Sequence, residues 1–245
     1  MFKILSAAIL LSSLSAAAGT IEIVSHGAVS RIAGTQHYEF ELMDTADGRK
    51  LTDADLKVDH EKKVHFLIYD AALAEFRHVH PEFSGGVWSV DFDLNRDGQY
   101  WLWAQGVRAD TGKDFSASTH LEITGGDPTN AVPKSLAESR AGESGTSKVE
   151  IGAGAIRSGS MSMLDLKFSR TDGSAVAITP YLGAIAHVVA VPLTGDQLLH
   201  AHPMAMGADA AMVHVTFPSA GDYRLWVQYI DGGDLKVIPL SVTVE

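Results

Sequence analysis

Six of the eleven histidines in the chain belong to one pattern, H-x(12)-H-x-H-P, which occurs twice with the same spacing. The first copy is His65, His78, His80 and Pro81, and the second is His187, His200, His202 and Pro203. Aligned over residues 65–81 and 187–203, the two windows share only those three histidines and the proline. Histidines two apart on an extended chain point to the same face, with Cα atoms about 6.5–7 Å apart. Two imidazoles at that spacing can converge on one ion. Proline removes a ladder donor and ends a strand, which places each pair near a sheet end or edge. His65 and His187 lie on the strand before, and a chain reversal brings each beside its pair. Three imidazoles without a thiolate suit Cu(II) or Zn(II) and leave a coordination position open. The expectation is one site per domain, from His65, His78 and His80 in the first and His187, His200 and His202 in the second, with a single site shared between the domains as the open alternative. Met204 and Met206 follow the second copy directly, and their thioethers are soft donors that favour Cu(I). They are candidate ligands of the second site. Met161 and Met163 lie on a strand of the same half, where the ordinary work of methionine is to fill irregular core gaps.

A different role would preserve the same pattern. A buried neutral imidazole donates one hydrogen bond and accepts another, so a histidine network bracing a loop would also survive a duplication. His26, His37, His60, His120 and His214 do not recur at matching positions and read as surface residues or auxiliary ligands. The sequence contains no nucleophile elbow, no H-E-x-x-H and no phosphate loop, so no catalytic residue and no enzymatic activity is expected.

The elements that must position these histidines also repeat. In the first half, Tyr38, Phe40 and Leu42 alternate with Glu39, Glu41 and Met43. Val64 to Tyr69 is apolar on both faces, and Trp88, Val90, Phe92 and Leu94 alternate with polar neighbours. Tyr100 to Ala104 and Leu121 to Ile123 complete the unit, with turn signals at Asp47-Gly48, Gly85-Gly86 and Asp97-Gly98. In the second half Leu164, Leu166 and Phe168, then Ala186 to Val191, then Val213, Val215 and Phe217, and finally Ile238 to Val244 follow the same order. G-x-Y-x-L-W-x-Q occurs as Gly98 to Gln105 and again as Gly221 to Gln228. A glycine two residues before a strand-opening tyrosine resembles the tyrosine corner of Greek-key sandwiches. The predicted fold is all-β, with tandem immunoglobulin-like or cupredoxin-like sandwiches arising from a duplication. Tyr100 and Leu102 face one side of their strand, so Trp103 and Gln105 face the other. A tryptophan on that second face in both halves implies cover by the partner domain, or an aromatic pocket beside the histidines.

The predicted organisation is a signal peptide over 1–18, one sandwich over 19–125, a linker over 126–148 and a second sandwich over 149–245. The linker rests on Pro128, Pro133, Gly142 and Gly145 among scattered polar residues, with one helical turn expected over Lys134–Ser139. Lys3, the apolar run Ile4 to Leu14 and Ala16-Ala17-Ala18 form the three parts of a secretory signal. An apolar run of that length falls short of the ~20 residues a membrane span needs. The absence of cysteine excludes disulfides, thiolate ligands and lipoprotein anchoring. A net charge of −11 argues against nucleic acid and anionic lipid as partners. The expected setting is therefore periplasmic or secreted.

The segments Val64-His65-Phe66-Leu67-Ile68 and Phe76-Arg77-His78-Val79-His80-Pro81, with Val87-Trp88 and Gly98-x-Tyr100 after them, resemble a group of poorly characterised bacterial exported domains. The second half resembles them too, through His187 to Pro203, Phe217-Pro218 and Gly221-x-Tyr223. The resemblance departs at Asp70, which is early relative to the acidic position of that group, and at Pro192, which stands in its place in the second copy. It implies secreted β-sandwiches often associated with copper or heavy-metal handling. The combined expectation is a periplasmic or secreted protein that sequesters or delivers a metal ion, copper first and zinc second. Its partners would be the ion and another exported protein. The alternative is a tandem β-sandwich used for adhesion or protein interaction, with structural histidines.

Overall fold

The computed structural model describes residues 20–128, 133, 135–152 and 154–245. The expected signal peptide lies outside the described residues. The first half contains β1 (Ile21–Ser25), β2 (Ser30–Ile32), β3 (Gly34–Asp44), β4 (Arg49–Leu51), β5 (Leu56–Lys57), β6 (His65–Asp70), β7 (Phe76–Val79), β8 (Glu82–Ser84), β9 (Val87–Leu94), β10 (Gly98–Arg108) and β11 (Asp114–Thr124). The second contains β12 (Ala141–Ser144), β13 (Ser147–Ile151), β14 (Met161–Arg170), β15 (Ile178–Thr179), β16 (His187–Pro192), β17 (Leu199–Ala201), β18 (Met204–Ala205), β19 (Ala210–Thr216), β20 (Gly221–Asp231) and β21 (Asp234–Val244). A short 3-10 turn at Asp53–Asp55 is the helical element among the described residues.

Each half closes two sheets around its own core. In the first, β1-β3-β9-β8 packs on β11-β10-β6-β7. In the second, β13-β14-β19-β18 packs on β21-β20-β16-β17. The strand order is the same in both, and it is that of an immunoglobulin-like Greek key. The cores follow the alternation seen in the sequence. Tyr38, Phe40 and Leu42 of β3 meet Phe66 and Ile68 of β6 and Leu102 of β10 in one core. Leu164, Leu166 and Phe168 of β14 meet Val188 of β16 and Leu225 of β20 in the other.

The tyrosine corner is present twice. The Tyr223 hydroxyl donates to the Ser219 carbonyl at 3.0 Å, and the Tyr100 hydroxyl accepts from the Arg96 amide at 3.3 Å while donating to the Glu75 carboxylate. Tyr223 is fully buried. Replacing it with phenylalanine leaves the ring in place and strands that carbonyl, so Tyr223→Phe is expected to cost about 1–2 kcal/mol in urea denaturation. A stability equal to wild type would make the corner ornamental.

The linker ends earlier than the composition suggests. β12 and β13 form a hairpin within residues 141–151, joined to β14, so the second sandwich begins near Ala141 rather than 149. β12 reads Ala-Gly-Glu-Ser and is largely exposed, so no apolar alternation marks it. Gly142 is required there by contact, because a Cβ would sit 2.2 Å from the Pro239 carbonyl oxygen. The helical turn expected over Lys134–Ser139 does not form across its described residues. Instead Ser139 exchanges backbone hydrogen bonds with Ser241 at 2.9 and 3.0 Å.

The outer faces of β6, β7 and β10 and of β16, β17 and β20 press against each other, so the two sandwiches share an interface. Leu67, Tyr69 and Phe76 meet Val189, Leu198 and Trp226 in a third apolar cluster. Phe76 and Trp226 stack with centroids 4.8 Å apart and planes at 11°. The Trp103 indole donates to the Tyr69 hydroxyl at 2.9 Å, which donates in turn to the Gly195 carbonyl of the second domain at 2.8 Å. Cover by the partner domain thus explains a tryptophan on the outward face of each half.

Candidate metal centre at the domain interface

Alternation along β6 and β16 decides where the histidines go. Phe66 and Ile68 point into their core, so His65, Leu67 and Tyr69 point outward to the interface. His187, Val189 and Val191 do the same on β16. His78 pairs with Leu67 across β6 and β7, and His200 pairs with Val189 across β16 and β17, which sets both on that same face. The chain then leaves one sheet for the other at each His-Pro step: β7 pairs with β6 and β8 with β9, and β17 pairs with β16 and β18 with β19. The proline therefore stands where the strand changes sheets, as expected from its missing donor.

All six histidines of the repeated motif come together in one centre. Within the first copy His65 Nδ1 approaches His78 Nε2 at 3.1 Å, and within the second His187 Nδ1 approaches His200 Nε2 at 3.2 Å. Across the interface the ring centroids of His65 and His200 are 5.3 Å apart, and those of His78 and His187 also 5.3 Å. Two groups offer three nitrogens within 4.8 Å of one another: His65, His78 and His80, and His78, His187 and His200. The first group is the trio expected of the first domain, and the second takes His78 from the first domain in place of His202, because the two trios lie on faces that pack together.

Hydrogen bonding constrains which nitrogens carry protons. His65 Nε2 donates to the Asp59 carbonyl at 3.0 Å, and His187 Nε2 donates to the Tyr181 carbonyl at 3.0 Å. His78 Nδ1 donates to the Gln228 amide oxygen at 2.8 Å across the domain boundary. A neutral imidazole has one N–H. With those protons assigned, His65 Nδ1 and His78 Nε2 are both bare lone pairs facing each other. His80 Nε2 and His202 Nε2 are buried with no hydrogen-bond partner among the described residues. Bare lone pairs that converge repel unless a proton or a cation lies among them.

The rings are held neutral. Burial keeps His78 and His200 well below the ordinary histidine value, with neighbouring imidazoles adding to the effect. Burial lowers His65, pushes His80 and His202 down to about 3 and pushes His187 down to about 4. Protons are thus disfavoured, and the converging nitrogens could hold a metal ion. A metal–nitrogen bond of about 2.0–2.1 Å puts adjacent ligand nitrogens about 3.3 Å apart in a tetrahedron and about 2.9 Å apart in a square plane. The observed 3.1 and 3.2 Å fall between these.

Two further residues belong to the centre that spacing does not point to. Gln228, from the repeated G-x-Y-x-L-W-x-Q motif, orients His78, and its counterpart Gln105 bonds Ser116 instead. His60 stacks on His202 with centroids 3.6 Å apart. His60 and Glu61 sit in a turn with φ of 46° and 68°, and Leu182 and Gly183 repeat it with 49° and 72°. Two left-handed residues in sequence mark a type I′ turn. That turn presents the Asp59 or Tyr181 carbonyl to the histidine behind it. Its recurrence could have been found by aligning the halves, although Asp-His-Glu-Lys carries no turn signature of its own. Two clefts reach the centre, one lined by His65, His200 and His202 and the other by His78 and His80.

Met204 and Met206 follow the chain from the trio onto the other sheet. β18 pairs with β19 in the sheet that faces away from the interface, with Met204 opposite Met212. Met204 lines a cleft that also includes His60 and His202, whereas Met206 lines another with Asp165 and Lys167. His26, His37, His120 and His214 stand outside the two histidine groups.

The fold and the site together define a tandem immunoglobulin-like β-sandwich with a histidine centre between its domains. Residues 142–245 match the model of a domain of unknown function, DUF8832, whose boundary agrees with the start of the second sandwich. No curated protein matches the sequence. Among solved structures the chain is similar to the adhesin FdeC of Escherichia coli at 16% identity, covering 96% of this chain and 66% of that one, with a TM-score of 0.28. It is similar to the fibronectin(III)-like modules of Clostridium thermocellum CbhA at 13% identity, covering 94% and 90%, with a TM-score of 0.24. A Parabacteroides merdae β-glucuronidase matches at 11% identity over 91% of this chain and 24% of that one, with a TM-score of 0.25. The chain spans just under two thirds of the length of the adhesin. No described helix is long and apolar enough to cross a membrane.

Proposed function

We propose that this protein is an exported metal-binding protein that holds a copper or zinc ion at the shared histidine centre, for sequestration or delivery rather than turnover. The observation that carries the reading is the convergence of bare imidazole nitrogens. His65 Nδ1 and His78 Nε2 lie 3.1 Å apart with their other ring nitrogens committed as donors, and His80 Nε2 is buried beside them without a partner. Ring nitrogens fixed by a carbonyl or an amide oxygen are the usual support for a ligating histidine. Three imidazoles and no thiolate fit Cu(II) and Zn(II), and the resemblance to exported domains of heavy-metal systems favours copper. Export rests on the three-part N-terminal signal.

A second reading has an observation of its own. The Asp59 and Tyr181 contacts also brace the starts of β6 and β16, and the Gln228 contact joins the two domains. On that reading the chain is a tandem interaction module and the histidines are structural.

Titration of the mature protein with Cu(II) and Zn(II) by calorimetry separates the two. His78 belongs to both groups, so His78→Ala is expected to lose at least about 100-fold in affinity, the scale on which even supporting residues matter. His80→Ala, which enters one group only, is expected to lose less. Binding by the His78→Ala protein with unchanged stoichiometry and affinity would favour the bracing role.

A further inference from the structure

Five of the seven methionines lie between residues 161 and 212, and the register gathers them on one surface. Leu164 and Leu166 of β14 and Ala211 and Val213 of β19 point into the core. Met161, Met163, Met212 and His214 therefore point outward. Met163 lies directly opposite His214, and Met212 lies directly opposite Met204 on its other side. Met161, Met163, Met204 and Met206 are 54–67% exposed, which removes core filling as their reason for being there. Solvated strand faces ordinarily carry Thr, Ser or charged residues, and methionine gains nothing by exposure.

We infer that this outer face carries a second metal site, for Cu(I), held by Met163, Met204, Met212 and His214. Directly opposed side chains have Cβ atoms about 4.5–5.5 Å apart and diagonal neighbours about 7–8 Å. Met163 and Met212 are such a diagonal pair, between His214 and Met204. The three rotatable bonds of methionine let sulfurs at these spacings converge. Thioethers are neutral and soft, so a set of three with one imidazole prefers Cu(I) to Zn(II) or Cu(II). Met161 and Met206 extend the patch on either side. The site lies on the outer face of one sheet, and Met204 alone of its ligands borders the cleft that also holds His60 and His202. It rests on the strand register rather than on the histidine centre, so either site can fail without the other.

The test is anaerobic titration of the full mature chain with Cu(I) against a chromophoric Cu(I) chelator. A Met163→Leu/Met204→Leu/Met212→Leu protein keeps the shape and apolar character of the face and removes its sulfur. It is expected to bind Cu(I) at least about 100-fold more weakly than wild type. Its Zn(II) titration should match wild type, which shows that the fold and the histidine centre are intact. His78→Ala should leave one equivalent of Cu(I) binding in place. X-ray absorption of the wild-type Cu(I) complex should show sulfur scatterers. Competition by the leucine protein equal to wild type, loss of all Cu(I) binding in His78→Ala, or a copper shell of nitrogen alone would each overturn the assignment. A face that binds a protein partner equally well with leucine, and no Cu(I), would be a docking surface instead.

Discussion

Lowering the pH from 7.5 to 5 is expected to destabilise the metal-free protein steeply, centred on the domain interface. His78 and His200 have folded pKa values held well below 6.5 by burial. In the unfolded chain, or with the domains parted, each takes a proton near pH 6.5. The sign follows from that difference. Above 6.5 neither state is protonated and the contribution is fully present. Below it the open state binds protons that the closed state refuses, and each such histidine removes about 1.4 kcal/mol per pH unit. His187, whose folded value lies at about 4, alone loses about 2 kcal/mol over the 1.5 units between 6.5 and 5, against a typical total of about 5–15 kcal/mol. His80, His187 and His202 extend the loss towards pH 3–4, where their folded values lie. Urea denaturation midpoints against pH measure the slope, and small-angle scattering shows whether the domains part before their sheets melt. His78→Gln/His200→Gln should flatten the profile. A wild-type midpoint unchanged from pH 7.5 to 5 would contradict the buried, neutral state of the centre. Protons also compete with a metal for imidazole, so metal release should follow the same window.

Trp226→Ala is the second large effect, expected to cost about 3–5 kcal/mol and to weaken the shared histidine group. Trp226 is 2% exposed and stacks on Phe76 from the other domain. Truncating a buried tryptophan forfeits its transfer energy and leaves a cavity. That cavity lies between domains, and the alternative to leaving it empty is for the domains to separate. The His78, His187 and His200 group spans the boundary and should be lost with it. The His65, His78 and His80 group lies within the first domain and should persist. Calorimetry should therefore register weaker binding, and scattering a longer particle. Metal binding identical to wild type in a particle with parted domains would show that the two trios act separately.

Much of the fold was legible because β-sandwiches advertise themselves through period-two alternation. Tyr38, Phe40 and Leu42 reached the core as their spacing required, and Gly98-x-Tyr100 and Gly221-x-Tyr223 made the corners they resembled. The hairpin of β12 and β13 was not legible, because β12 (Ala-Gly-Glu-Ser) is largely exposed and shows no apolar alternation, which leaves Val149 and Ile151 of β13 as its apolar signal. The six histidines were legible as a set from their type and repeated spacing. Gln228 was visible only as part of a fold signature, and His60 only as a residue without a counterpart.

The amino-acid sequence by itself determined two sandwiches of one ancestry, each carrying a histidine trio on the outward face of a strand pair, since alternation fixes the face once the core residues are known. Tertiary structure decided that these outward faces meet. Local periodicity says which side of a strand a residue takes and nothing about which surface will cover it. Tyr69, Phe76 and Trp226 had to pack across the boundary before His78 could find Gln228 and two trios could become one centre.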